Sequence, residues 1–103
     1  MTYRPRRATK RWLEGAPEYI LDCFKDPRIG DYWVLFGGSL LDPPLLKYRK
    51  VHMLDLNDLP NHPSFGISMW GEIEASYRPA HRRVRWLDLP ENVREHIMRR
   101  AEA

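Results

Sequence analysis

Gly66-Ile-Ser-Met-Trp-Gly-Glu-Ile-Glu74 is the clearest strand signal in this sequence. Apolar or small residues alternate with polar ones, and a period of two is typical of a strand whose faces differ. One face carries Ile67, Met69, Gly71 and Ile73, and the other carries Ser68, Trp70, Glu72 and Glu74. The stretch therefore predicts a strand whose apolar face packs on the core, with Trp70 on the opposite face.

Three other stretches predict strands around it. Tyr32–Phe36 is aromatic, β-branched and apolar throughout, which favours a strand covered on both faces. Residues 48–53 and 82–86 alternate basic and apolar side chains. In the second of these, Arg83 and Arg85 are predicted to share one face while Val84 and Trp86 share the other.

Helices are predicted at both ends of the strand series. Over residues 17–25, Pro17 suits a first helical position, and Tyr19, Ile20, Cys23 and Phe24 form an apolar stripe. A second helix is predicted to begin at Asp88, with Glu91 completing a capping box and Val93, Ile97 and Ala101 forming its stripe.

These elements predict an α+β domain. It has a small, mainly antiparallel four-stranded sheet with an N-terminal and a C-terminal helix, and the alternative is a small SH3-like barrel with flanking helices. Residues 1–11, rich in arginine and interrupted by Pro5, are interpreted as a flexible basic arm, and residues 12–103 as the single folded domain.

Composition narrows the classes of protein. The chain has 103 residues, 43% of them hydrophobic, which is enough for one core. The single cysteine, Cys23, excludes an internal disulfide and favours a reducing compartment. No apolar run is long enough for a membrane span, and the arginine-rich N-terminus lacks the apolar segment of a secretory signal. We therefore predict a cytoplasmic protein without a membrane partner.

Basic residues are concentrated where acids are missing. The net charge is +3, but the arm and residues 78–85 contain no acid. Such clusters are typical of surfaces that bind phosphates. The candidate nucleic-acid-binding residues are Arg4, Arg6, Arg7, Lys10, Arg11, Lys50, His52, Arg82, Arg83 and Arg85. If the strands holding Lys50 and Arg83 are neighbours, they form one cationic sheet face that binds nucleic acid or a nucleoprotein without catalysis. The alternative without a binding function is a solvated sheet face whose arginines pair with Glu72 and Glu74.

Exposed aromatics support a second hypothesis. Trp70, Tyr48 and Tyr77 are candidate anchors for base stacking or for a protein interface. They would suit a small phage or mobile-element protein that inhibits a host nucleoprotein enzyme. A helix covering Trp70 is the structural alternative.

A third hypothesis is a metal-independent ribonuclease toxin. It would use Glu72 or Glu74 as the base, His81 as the acid and Arg83 or Arg85 as the phosphate clamp, with Tyr77 assisting. The residue types fit, but any basic protein with four histidines supplies a similar set, so an enzyme is the less favoured class. No metal-ligand spacing and no phosphate-loop motif is present, and neither a metal nor a cofactor is predicted.

Overall fold

The computed structural model describes residues 11–37, 50–74 and 81–102, which form an antiparallel sheet with a C-terminal helix. The strands are β1 (Ile20–Lys25), β2 (Tyr32–Phe36), β3 (Lys50–Leu56), β4 (Ser68–Glu74) and β5 (Arg82–Arg83), and the helix is α1 (Glu91–Ala101). The strand order is β4-β3-β2-β1-β5, so the last strand returns beside the first. The predicted antiparallel sheet and C-terminal helix are present, but the described residues form a sheet of five strands instead of four.

The predicted helix over residues 17–25 is wrong, because Ile20–Lys25 is a strand that pairs with β2. The register shifts between Ile20 and Asp22, as at a β-bulge. An extra residue breaks strict alternation, which leaves apolar residues at a spacing that resembles a helical stripe. Pairing of this stretch with strands on both sides decides its structure, since β5 is its other neighbour.

The core lies between one face of the sheet and α1. Buried Val34, Phe36 and Leu54 on that face cluster with Val93 and Ile97 of the helix. The predicted stripe of α1 is confirmed, since Val93 and Ile97 are fully buried and Ala101 packs against the cluster. Burial of these side chains is the main term that stabilises the helix on the sheet.

The segment after β5 differs from its prediction. The strand ends at Arg83, and Trp86–Asp88 forms a 3-10 turn in which Trp86 is buried in the core. α1 begins at Glu91 with Pro90 as its N-cap, three residues later than predicted. Asp88 caps the 3-10 turn instead, because its carboxylate accepts the backbone N–H of Arg85. No helix in the described ranges is long and apolar enough to cross a membrane.

Candidate polyanion-binding cleft

A shallow cleft of about 500 Å³ opens beside β5 at one edge of the sheet. Its walls come from the end of β1, from β5 and the residues that follow it, and from the turn before β1. The lining residues are Trp12, Lys25, Pro27, Arg82, Arg83, Val84, Arg85 and Asp88. Four cations and one carboxylate therefore meet beside an indole ring, and the cleft carries a net positive charge.

Lys25 and Arg82 form the unusual pair in this cleft. They are direct cross-strand partners in the β1–β5 ladder, and Arg82 is exposed. Like charges placed directly opposite each other repel and destabilise a strand pair. Within the described part of the chain, neither forms an ion pair with a carboxylate. Instead, the Lys25 ammonium lies 5.4 Å from the centre of the Tyr32 ring. An anion in the cleft would relieve this repulsion.

Arg83 has a structural role that the sequence did not indicate. Its Nε and Nη2 donate to the two oxygens of Asp22, each at 2.9 Å, and Asp22 is fully buried. The guanidinium also lies 5.5 Å from the centre of the Phe24 ring. The bidentate geometry neutralises a carboxylate that would otherwise be buried at high cost. Arg83 is therefore held by the fold and contributes little free charge to the cleft.

Arg85 is also paired, but at the surface. Its Nε and Nη2 donate to Asp88 at 3.2 and 3.3 Å, and both side chains are about half exposed. These bonds lower the pKa of Asp88 and raise that of Arg85. Exposed ion pairs are weak and exchange readily, so Arg85 can turn to a phosphate. Arg11, the last residue of the basic arm, lines a smaller depression with Glu14, Arg85, Leu87 and Asp88, so that two cations and two carboxylates meet there.

The predicted basic residues thus divide into groups. Arg11, Arg82, Arg83 and Arg85 come together, whereas Lys50 and His52 lie on β3, separated from β5 by two strands. The condition for one continuous cationic sheet face is therefore not met, because the two basic strands, β3 and β5, are not neighbours. Trp12 and Lys25 join the cleft, and the sequence missed both because their place depends on strand order. The remaining candidates lie outside the described residues: Arg4, Arg6, Arg7, Lys10, Tyr48 and Tyr77.

Trp70 lies on the helix side of the sheet and retains 39% of its exposure. Its indole N–H donates to His52 Nδ1 at 3.1 Å, its ring meets Phe36 edge-on at 4.8 Å between centroids, and the Arg100 guanidinium lies 5.5 Å from its ring centre. Trp70 faces α1 and is contacted there by Arg100, but the helix does not cover it, since the side chain remains exposed. Burial lowers the pKa of His52, partly offset by Glu72, and its Nδ1 already accepts the indole N–H of Trp70.

The residues of the ribonuclease hypothesis are not assembled. Glu72 and Glu74 lie on β4, while Arg83 lies on β5 at the opposite edge of the sheet. His81 lies 3.9 Å from Asp26 and packs edge-on against Trp33. A general base and a phosphate clamp must meet one substrate, and this topology separates them.

A further hydrogen-bonded chain links the helix to β4. His96 Nε2 lies 2.7 Å from Ser68 Oγ, and His96 Nδ1 lies 2.8 Å from Asn61 Oδ1. The amide oxygen can only accept, so Nδ1 carries the proton and Nε2 accepts from the serine hydroxyl. In a catalytic triad, a serine nucleophile, a histidine base and a group that orients the histidine are arranged in the same order as Ser68, His96 and Asn61. However, Ser68 lines neither of the two clefts described above, and the bonds join α1 to β4, so we assign the chain to fastening the helix onto the strand.

Comparison of the chain with protein-family models, with curated proteins and with solved structures finds no match. Across the described ranges, no three His, Cys, Asp or Glu side chains are grouped as metal ligands would be. A function is therefore proposed from the described residues of this chain themselves.

Proposed function

We propose that this protein binds nucleic acid, free or within a nucleoprotein, through the cleft beside β5 and without catalysing a reaction. One observation supports this most directly: Lys25 and Arg82 face each other across the ladder, and within the described ranges neither forms a salt bridge, although Asp88 of the same cleft interacts electrostatically with Arg82. Phosphates are anions that such a pair would bind, and Trp12 in the same cleft offers a stacking surface.

The basic arm extends this site. Arg11 adjoins the cleft, and four more cations precede it in residues 1–10. Each phosphate neutralised by the arm releases counterions, so affinity should fall steeply as salt rises. A cytoplasmic location belongs to the same proposal. Its support is that the only cysteine, Cys23, is a free and buried thiol.

Charge reversal at one cleft residue tests the proposal. After nuclease treatment and a high-salt wash, binding of the full chain to 20-nucleotide single strands and duplexes is measured by fluorescence anisotropy from 50 to 300 mM salt. Arg82→Glu should weaken binding about tenfold and reduce the slope of log K against log salt by about one. Arg82 is exposed, so folding should be unaffected.

The matched control is Arg99→Glu, an equal change of charge on the exposed surface of α1. It should weaken binding at most twofold, because it alters only the overall field. Equal losses in both variants, or no binding at 50 mM salt, would contradict the proposal. Arg83→Glu is unsuitable as a test, since it would put a second carboxylate beside buried Asp22.

A protein-interaction function is the second candidate. Trp70 is partly packed and 39% exposed, and other large apolar side chains are more exposed, with Phe65 at 72% and Met69 at 64%. Exposed apolar patches bordered by charged residues are typical of protein interfaces. Inhibition of a host nucleoprotein enzyme would combine such a surface with the basic cleft.

A further inference from the structure

The edge of the sheet opposite the cleft carries an apolar surface that polyanion binding does not use. It comprises exposed side chains of β4 and of the loop that precedes it, namely Leu59, Phe65, Ile67 and Met69. Water-exposed apolar area of this kind is a cost to a solitary domain, and it is reduced when a partner covers it.

The loop holds these side chains in a defined arrangement. Asn57 bridges it, since its Nδ2 donates to the carbonyl of Phe65 at 2.6 Å and its Oδ1 accepts the N–H of Leu59 and of Ile67. His62 Nδ1 accepts the N–H of Ser64 and of Phe65. A surface that is ordered before binding loses little conformational entropy when it binds.

The hydrogen bonds of Asn57 and His62 thus fix the backbone of the loop, and this backbone carries the exposed side chains of Leu59, Phe65 and Ile67. Asn92 of α1 also donates to the carbonyl of Asp58 at 2.7 Å, which fastens the loop to the helix. The loop is therefore a rigid extension of the β4 edge.

β4 itself has one bonded edge. In the described part of the chain it pairs with β3 along all seven residues, and no strand pairs with its outer side. Every second N–H and C=O of an edge strand points outward and can accept another strand. A seven-residue strand without proline is a suitable template for such pairing.

Side chains on this edge define what an added strand would carry. On one face, Gly71 has no side chain between Met69 and Ile73, and Met53 Cε lies 3.4 Å from the position that a Cβ would take, so a large apolar side chain of an added strand could pack on Gly71 and Met53. On the other face, Glu72 and Glu74 are exposed carboxylates that would pair with cations directly across.

We propose that β4 accepts an extended segment of a partner protein as a sixth strand, and that this segment alternates basic with large apolar side chains. The proposal deepens the second candidate function and is independent of the cleft. A second copy of this chain fits less well. Antiparallel self-pairing about Gly71 would bring four glutamates, two from each copy, onto one short stretch of a single face.

A designed peptide tests the proposal. The capped hexapeptide Lys-Val-Lys-Phe-Thr-Val, aligned antiparallel, places its lysines opposite Glu74 and Glu72 and its phenylalanine opposite Gly71. Titrated into isotopically labelled full-length protein, it should shift the β4 amide resonances with a dissociation constant below about 1 mM. It should also slow amide hydrogen exchange between Met69 and Ile73. The same peptide with glutamates in place of lysines should bind at least tenfold more weakly.

Variants identify the contacts. Glu72→Gln with Glu74→Gln should reduce the preference for the lysine peptide to less than twofold, whereas Glu95→Gln on exposed α1 should leave it unchanged. Met69→Lys should weaken the lysine peptide at least tenfold, and its folding should be unaffected because Met69 is exposed.

Three results would overturn the proposal: no β4 shift at 1 mM peptide, equal binding of the two peptides to the unmodified protein, or a concentration-dependent dimer that Met69→Lys abolishes. The last would assign the edge to a second copy. A protein partner that protects the 57–67 loop but leaves β4 amides exchanging freely would preserve the interaction function and exclude strand addition.

Discussion

The two edges of the sheet differ in both charge and construction. The β5 edge is two residues long and basic, and its central contact is an ion pair between Arg83 and buried Asp22. The β4 edge is seven residues long, apolar and acidic, and neutral hydrogen bonds through His96 fasten it to α1. The short β5 edge therefore stabilises the fold mainly through an ion pair. The long β4 edge stabilises it mainly through backbone hydrogen bonds to β3 and through side-chain packing.

The largest effect is expected at the β5 edge. Arg83→Met removes both bonds to Asp22 and should lower the free energy of unfolding by about 3 kcal/mol, because a buried carboxylate loses its counter-ion. Urea denaturation followed by tryptophan fluorescence measures this. Asp22→Leu in the same chain should restore most of the loss. A change below about 1 kcal/mol would show that the pair does not hold the two strands together. Arg85→Met, which removes only a surface pair, is the control and should leave the midpoint unchanged.

A smaller effect is expected at the β4 edge. Ser68→Ala leaves His96 Nε2 without its hydrogen-bond donor and should cost about 1–2 kcal/mol. The same urea titration measures it, with Ser64→Ala on the exposed loop as the control. If the two serine variants unfold at the same urea concentration, the link between α1 and β4 does not contribute to stability.

The smallest effect on the free energy of unfolding is expected from a change of pH. It concerns two histidines on the β4 side of the sheet, His96 and His52. Burial, together with Arg100 and Arg99, lowers the pKa of His96, and burial also lowers that of His52. The unfolded chain, in which histidine has a pKa of about 6.5, therefore binds more protons than the folded chain. Stability should be constant above about pH 7.5 and decline as the pH falls through 6.5 towards 5.5.

Urea midpoints measured across this range at constant ionic strength test the sign. His96→Gln should flatten the dependence without removing it, because His52 still titrates. A midpoint that rises on acidification would show that these histidines gain protons on folding, contrary to their surroundings.

Alternation and helical periodicity within short stretches of sequence predicted those elements that follow a regular pattern along the chain. Tyr32–Phe36 is a strand over the predicted residues, β4 is a strand within the predicted stretch, and Val93 and Ile97 of α1 face the core. The prediction that the Met69 face of β4 packs on the core is wrong, because Met69 is 64% exposed and Ser68 and Trp70 lie on the α1 side. β1 was predicted as a helix because a bulge disturbs its alternation, and only pairing on both sides identifies it as a strand. Residues 17–25, taken by themselves, contain no information about the strands with which they pair.

The residues of the cleft also divide into those that short-range sequence patterns predicted and those that depend on strand order. Clustering of charge along the chain identified Arg82 and Arg85 as neighbours of a candidate site. It also suggested that Arg83 was free, because nothing near residue 83 reveals that Asp22 is its partner. Conversely, Lys25 belongs to the cleft only because β1 is the neighbour of β5. Contacts between distant parts of a sequence depend on strand order, which periodicity does not report.

The link between residues 22 and 83 has a consequence for how the chain is made. β1 is synthesised before β5, and the guanidinium that neutralises its buried carboxylate is added 61 residues later. A nascent chain that stops before β5 would have to bury Asp22 without a counter-ion, so the sheet is unfavourable until β5 has been translated. Folding of this sheet is thereby postponed until the segment that contains Arg83 has left the ribosome.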